Sequence, residues 1–282
     1  CSEKLNKLLF LCLWMLNKIR VEEAEKFSKV FGKDKYVTNP FYLAFNGFYE
    51  TKNKELLLYE RDELFQNDFP FIVFPKKEKN MIRAVATHCT KEEVDRITSK
   101  KLQIRTMQAH GKEYYYKTKD LIEMKGKNFS SFRKQVHKFE KEQDYRILND
   151  YSREKIISFI RYWEKGQKEK NDLFDLSLDY SIFCVENKDK IKGEWIFIEI
   201  NDKLAGYSLS CKLNKNYWVG VHQKVNYSYR GLGKFLMYKR ALMHSEIPYF
   251  TLGTEAKDKG IGIFKDSLHP FKKEERYFII TE

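Results

Sequence analysis

Apolar positions along this chain follow two rhythms. Phe129, Phe132, Val136 and Phe139 recur at spacings of three and four, the buried stripe of an amphipathic helix. Asn128 or Ser130 is its cap, and it runs to about Gln143. Further on, Glu194–Ile200, Leu204–Leu213 and Tyr217–Val225 are apolar runs of strand length, with Asn201-Asp202-Lys203 as the tight turn between the first two. Helices are predicted at Ser152–Glu169, Leu178–Val185 and from Gly231 to about Met243, and strands at Tyr249–Leu252 and Arg276–Thr281. Gly260-Ile261-Gly262 reads as a turn leading to Phe264-Lys265. In the first half, residues 3 to 31 look helical, with Gly32 as the stop, and Asn39-Pro40 breaks the chain before the aromatic run FYLAFNGFYE. Strands are predicted at Glu55–Arg61, Phe69–Phe74, Gln103–Met107 and Glu113–Lys117, and a helix capped by Thr90 at Lys91–Lys100. Strands alternating with helices predict an α/β fold, a mixed, mostly antiparallel sheet covered by helices.

Composition narrows the class. A chain of 282 residues, 42% hydrophobic and 16% aromatic, has enough apolar surface for one large or two ordinary domains, which excludes general disorder. The formal net charge of +13 fits an anionic partner such as nucleic acid, nucleotide cofactor or acidic membrane, and equally a solvated basic surface. Five scattered cysteines form no CxxC pair or Cys/His cluster, so no zinc site, metal or disulfide framework is indicated, and a reducing cytoplasm is the simplest compartment. Leu8–Leu16 is apolar but too short to span a bilayer, so it reads as a buried helix or a membrane-surface anchor, and no transmembrane segment is expected. The chain opens on Cys1, which suggests a trimmed or incomplete terminus.

Candidate chemistry gathers after the strand Tyr217–Val225, where RGLGK opens a helix. A glycine-bearing strand-to-helix turn leaves backbone N–H groups free at the positive end of the helix dipole. Arg230, Gly231, Gly233 and Lys234 would hold the phosphates of a carrier there; the alternative is a tight turn that needs glycine for its dihedrals. From Lys125 to Arg146 there are seven Lys/Arg against three Asp/Glu. Lys127, Arg133 and Lys134 therefore offer a phosphate grip for nucleic acid or lipid, or else an ordinary wet face. His88 and His110 stand alone, and His137 sits at the border of the apolar stripe.

The order of strands, glycine turn, helix and strand resembles the GNAT acyltransferase fold, and RGLGK is similar to its acyl-CoA motif, Arg/Gln-x-x-Gly-x-Gly/Ala. Arg230 and Gly233 match; Phe235 stands where the motif has a small residue, and its bulk is expected to obstruct a pyrophosphate. A second resemblance spans roughly residues 112 to 282. The stretch YYYKTKDLIEMKGKNFSSFRKQVHKFEK, then VHQK, Glu255 and FK…HP, are similar to a bacterial family related to the C-terminal domain of phosphatidylglycerol lysyltransferases. Lys134 replaces that family's usual Asn, and the segment from Gly260 to Lys265 is short. The resemblance implies two tandem GNAT-like lobes, residues 1–119 and 120–282, as in the lysyltransferases and Fem peptidyltransferases. It further implies transfer of an aminoacyl group from charged tRNA to a lipid hydroxyl or an amine, with tRNA and an anionic lipid headgroup as partners. On that reading Glu255 is the candidate general base, His222 reaches the same cleft, and Lys265 holds a phosphate or polarises a carbonyl. An acyl-CoA N-acyltransferase and a non-catalytic binding module are the alternatives.

Overall fold

The computed structural model describes residues 17–31, 35–52, 55–61, 70–73, 85–92, 94–95, 104–168, 178–255 and 259–281. The apolar run at 8–16, most of the helix expected at 3–31 and much of that expected at 91–100 lie outside them. Within the described part, strands β1 (Asn17–Lys18), β2 (Gly47–Lys52), β3 (Glu55–Arg61) and β4 (Pro70–Val73) form a four-stranded antiparallel sheet in chain order. The helical reading of 3–31 is thus corrected at Asn17–Lys18, which pair with Phe48 and Tyr49; only α1 (Ala24–Phe31) is α-helical. Helix α2 (Pro40–Asn46) starts with proline, whose missing N–H costs nothing at a helix start, and the Asn39 side chain accepts from the Tyr42 amide at 3.0 Å.

The larger sheet has eight strands: β5 (Val85–Cys89), β6 (Ile104–Lys117), β7 (Arg146–Leu148), β8 (Glu194–Ile200), β9 (Lys203–Lys212), β10 (Tyr217–Val225), β11 (Tyr249–Thr254) and β12 (Lys272–Thr281). Their spatial order is β5-β12-β6-β11-β10-β9-β8-β7, and every neighbouring pair is antiparallel except β10 and β11. Strands from both sides of residue 119 share this sheet. Where two strands were expected at 103–107 and 113–117, β6 runs unbroken, because a bulge at His110-Gly111 absorbs the polar interruption while β12 pairs along its length. The β8–β9 turn places Asn201 and Asp202 at φ 51° and 58°, the paired positive values of a tight hairpin turn.

The sheet is buried on both faces, which explains the unbroken apolar runs of its central strands. One face packs Trp195, Phe197, Tyr207, Leu209, Val219 and Val221 against helices α5 (Arg153–Lys168) and α6 (Leu178–Glu186) and against α1 and α2. The other packs Ile196, Ile198, Trp218 and Phe250 against α3 (Thr118–Glu123), α4 (Ser130–Glu142) and α7 (Leu232–Met243). All four residues of the predicted α4 stripe are buried. The Gly260-Ile261-Gly262 turn is instead the start of α8 (Lys259–Asp266), held by Lys265 and Phe264 reaching inward.

Phe235 joins α7 to α4: its ring is fully buried, with centroids 4.7 Å from Phe139 and 5.0 Å from Tyr145. Phe235→Ala should therefore cost about 3–5 kcal/mol in urea unfolding, the usual range for truncating a buried phenylalanine. A loss below about 1 kcal/mol would show that the α4–α7 contact is dispensable.

Candidate functional site

The parallel pair β10 and β11 holds register only from Tyr217–Tyr249 to Val219–Thr251, and β10 then bulges between Gly220 and His222 while the strands part. Gly220 admits no side chain: a Cβ there would lie 2.2 Å from Arg240 Nη1 and 2.6 Å from Leu252. Arg240, on α7 and 1% exposed, thus brings its guanidinium against the bulge, and its Nη2 donates to the His222 carbonyl at 3.3 Å. No carboxylate answers it among the described residues, its Nε has no partner, and burial brings its pKa down to about 9.

Tyr36 spans the parting. Its hydroxyl donates to the Val221 carbonyl at 2.6 Å, and its ring lies against Gly253, whose φ of 70° and lack of a Cβ make room for it. Its amide donates to Glu113 Oε1 at 2.8 Å. Glu113, 1% exposed, also accepts from Thr251 Oγ1 and from Arg276 Nε, both at 2.8 Å. Such a buried pair is tolerated because hydrogen bonds take up its remaining capacity.

Lys265 donates to the carbonyls of Leu252, Gly253 and Thr254 at 2.9, 2.9 and 2.6 Å. An ammonium has three donors, so all three serve the end of β11 and none is left over for a substrate. Burial brings the Lys265 pKa down to about 7, against the opposing charges of Glu113 and Glu255. Glu255 is half-buried just past β11, accepts from the Lys112 amide at 2.9 Å, and has its Cγ near Gly262 and Tyr114. Glu255 and Lys265 are therefore neighbours, whereas His222 lies among the rings of Tyr180, Trp195 and Tyr207 on the α5–α6 face.

The RGLGK turn has Gly231 at φ 93°, and the amides of Gly233 and Lys234 take no hydrogen bond among the described residues. Arg230 is exposed, and Lys234 is half-buried, with its pKa lowered by burial. The expected obstruction by Phe235 is corrected: the ring points into the core. The turn is instead covered by α4, whose Gln135 carbonyl would lie 2.5 Å from a Cβ on Gly231. On α4 and before it, Lys127 and Lys134 are exposed, while Arg133 donates to the Met124 carbonyl at the left-handed end of α3. Sequence reasoning missed Arg240, Tyr36 and Glu113. Only Arg240 left a trace, a charge at a position of α7 flanked by Leu236, Met237 and Ala241. Among the described residues no His/Cys/Asp/Glu group is arranged to hold a metal ion, and no helix is long and apolar enough to cross a membrane.

A family model described as "Phosphatidylglycerol lysyltransferase, C-terminal" matches residues 75–261, well over half of the chain. The chain belongs to that family. The family extends further upstream than the motif resemblance, which starts near residue 112, and takes in β5 and β6. No curated protein sequence matches the chain. Among solved structures, a conserved protein of unknown function from Bacteroides thetaiotaomicron is similar with a TM-score of 0.80 at 12% identity, covering 95% of this chain and 99% of that one. L-PGS from Bacillus licheniformis gives 0.65 at 11% identity, covering 94% and 92%. FemX gives 0.61 at 8% identity, covering 94% and 97%. The family member thus has a GNAT-like fold, shared with L-PGS and FemX.

The buried histidines make the stability of this family member pH-dependent. Burial, with Lys224 and Arg240 nearby, holds His222 well below the usual imidazole range, and burial takes His244 down to about 4. Both are neutral in the fold, so their contribution is complete above about pH 6.5 and is lost as pH falls and the unfolded chain takes up protons. Below pH 6 each should lower stability by up to about 1.4 kcal/mol per pH unit. Urea unfolding at pH 7.5, 6 and 5 checks this, and His222→Phe should make the fall shallower.

Proposed function

We propose that this protein moves an aminoacyl group from charged tRNA to a hydroxyl or amine acceptor, with an anionic lipid headgroup at the membrane surface as the favoured acceptor class. The observation that carries this reading is the covered turn. A carbonyl oxygen of α4 stands against Gly231, where the resemblance to acyl-CoA enzymes would put a pyrophosphate, and two negative partners repel. Exposed Lys134 on that helix and Lys127 in the turn before it suit the phosphates of a larger donor. Family membership supports the same choice. Residues 1–119 and 120–282 are read as tandem lobes that contribute to one continuous sheet.

In this reading the ester carbonyl of the donor lies at the parting of β10 and β11. Glu255, close to the free end of β11, takes the acceptor's proton as general base. The Arg240 charge beside the bulge stabilises the oxyanion as the acceptor attacks. The bond to the tRNA ribose then breaks, and the ribose oxygen leaves with a proton. Lys265 positions β11 by occupying its carbonyls and does not touch the substrate. The free amides of Gly233 and Lys234 favour a second reading, acyl-CoA-dependent N-acylation.

Charged tRNA should bind with an affinity that falls steeply between 50 and 200 mM salt, roughly ten- to a hundredfold for three or four phosphate contacts. Coenzyme A and acetyl-CoA should leave the melting temperature unchanged, whereas a ligand that binds and is present at about 100 times its Kd would add roughly 2.7 kcal/mol, a readily visible rise. A clear shift with the CoA compounds and none with charged tRNA would reverse the two readings. Glu255→Gln should cut turnover at least about a hundredfold with little change in melting temperature; full activity would remove Glu255 from the mechanism.

A further inference from the structure

Three consecutive tyrosines on β6 use their hydroxyls differently. Tyr115, on one face, accepts from Arg276, while Tyr116, on the other, donates to the Lys265 carbonyl at 3.0 Å. Tyr114 shares the face of Tyr116, and its hydroxyl has no hydrogen-bond partner among the described residues. Its ring packs into the core and the residue is only 4% exposed, yet the hydroxyl is not sealed as those of Tyr180 and Tyr207 are. The opening lies at α8. Gly262 there is half-buried, and a Cβ on it would stand 3.7 Å from the Tyr114 hydroxyl and 3.9 Å from Glu255 Cγ. No further group from another element comes within 4 Å of that point. The missing side chain leaves a gap bordered by a free phenol and the candidate base.

The charges around Tyr114 suit a proton donor. Burial, with the carboxylates of Glu255 and Asp266 nearby, holds its pKa above the usual phenol value, so the hydroxyl keeps its proton at neutral pH. Lys265 and Lys273 stand over its ring, with Nζ 5.6 and 5.4 Å from the centroid. Lys265 is fixed by the β11 carbonyls, and Lys273 pairs with Asp266. Negative charge that grows on the phenol as a proton leaves is met by both ammonium groups. Aminoacyl transfer needs such a group. Glu255 accounts for the acceptor's proton, but a ribose alkoxide leaves poorly without a proton of its own.

Resting on the aminoacyl-transfer reading, we propose that Tyr114 is a further catalytic residue, the general acid that protonates the departing ribose oxygen. The bond from acceptor to acyl carbon forms as Glu255 removes the acceptor's proton. As the bond from acyl carbon to ribose oxygen breaks, its electron pair stays on that oxygen, which takes the proton of the Tyr114 hydroxyl. Glu255 ends protonated and Tyr114 deprotonated, and proton exchange with water in the gap restores both. Base and acid border one gap, the first from the end of β11 and the second from β6, so the acyl carbon can lie between acceptor and leaving group.

The test uses the whole purified chain with the ethyl and p-nitrophenyl esters of L-alanine and L-lysine at millimolar concentration. Phosphatidylglycerol vesicles are the acceptor, and release of the alcohol is followed. Ethoxide needs a proton to depart, as a ribose oxygen does, whereas p-nitrophenolate leaves as a stable anion. Tyr114→Phe keeps the ring and its ammonium neighbours and deletes only the hydroxyl. It should lower kcat on the ethyl esters at least about a hundredfold, with KM changed less than about threefold, and leave the nitrophenyl esters within about threefold. Glu255→Gln should slow both. Circular dichroism and urea midpoints establish that the variants are folded. Full activity of Tyr114→Phe on the ethyl esters would overturn the proposal. An equal loss on both kinds of ester would show a structural role and overturn it too, as would wild-type protein that cleaves neither. Transfer from a mixture of charged tRNAs separates the proposal from the reading beneath. A selective loss on ethyl esters with a like loss on charged tRNA supports both. The same selective loss, with no wild-type transfer from any charged tRNA, keeps the acid and defeats the tRNA donor. Transfer from charged tRNA that Tyr114→Phe retains keeps the donor and defeats the acid.

Discussion

Two parallel strands that diverge inside a protein lose the ladder bonds between them, and the freed backbone groups must find other partners. Here the carbonyls of Val221, His222, Leu252, Gly253 and Thr254 accept from three side chains, Tyr36, Arg240 and Lys265, each from a different element. Everything else about the site follows from that requirement. Gly220 and Gly253 are glycine because a guanidinium and a phenol ring occupy the space a Cβ would need. Glu113 lies beneath, holding the Tyr36 amide, Thr251 and Arg276 together, so the N-terminal segment and the last strand are tied to the same point.

This arrangement divides the charged residues by what they are free to do. Lys265 and Arg276 are committed to backbone or carboxylate partners. Arg240 gives one nitrogen to the His222 carbonyl but meets no carboxylate among the described residues, and a buried guanidinium in that position is costly unless an anion or a developing negative charge meets it. The distinction separates residues that build the site from those that can act in it, and neither charge nor proximity in sequence draws it. Glu255, at the open end of β11, is half-buried and keeps one carboxylate oxygen clear of the Lys112 amide.

The glycine turn shows how local and tertiary effects compete. By itself RGLGK is a helix start with free amides, suited to any phosphate. Packing α4 across α7, through Phe139 on Phe235 and Lys239 with Glu140, sets a carbonyl over Gly231 and changes which anions can approach. The large residue at position 235, which looks in the sequence like a plug for the turn, is the anchor of the helix that covers it.

Local sequence is enough to set the elements and their faces: the α4 stripe, the three central strands with a tight turn between the first two, and the glycine start of α7 were all readable, because periodicity and turn chemistry act over a few residues. Local reading failed where partners are distant. The unbroken β6 depends on β12, more than 150 residues away, and the helical α8 on the pull of Lys265 toward β11. The site divided the same way. Glu255 and the RGLGK residues stood out by position, but that Lys265 is spent on carbonyls and that His222 faces an aromatic ring of neighbours was decided by tertiary structure. So was the approach of Arg240, from a helix, to the bulge of a strand: burial and pairing are properties of which segments meet, and no single segment carries that information.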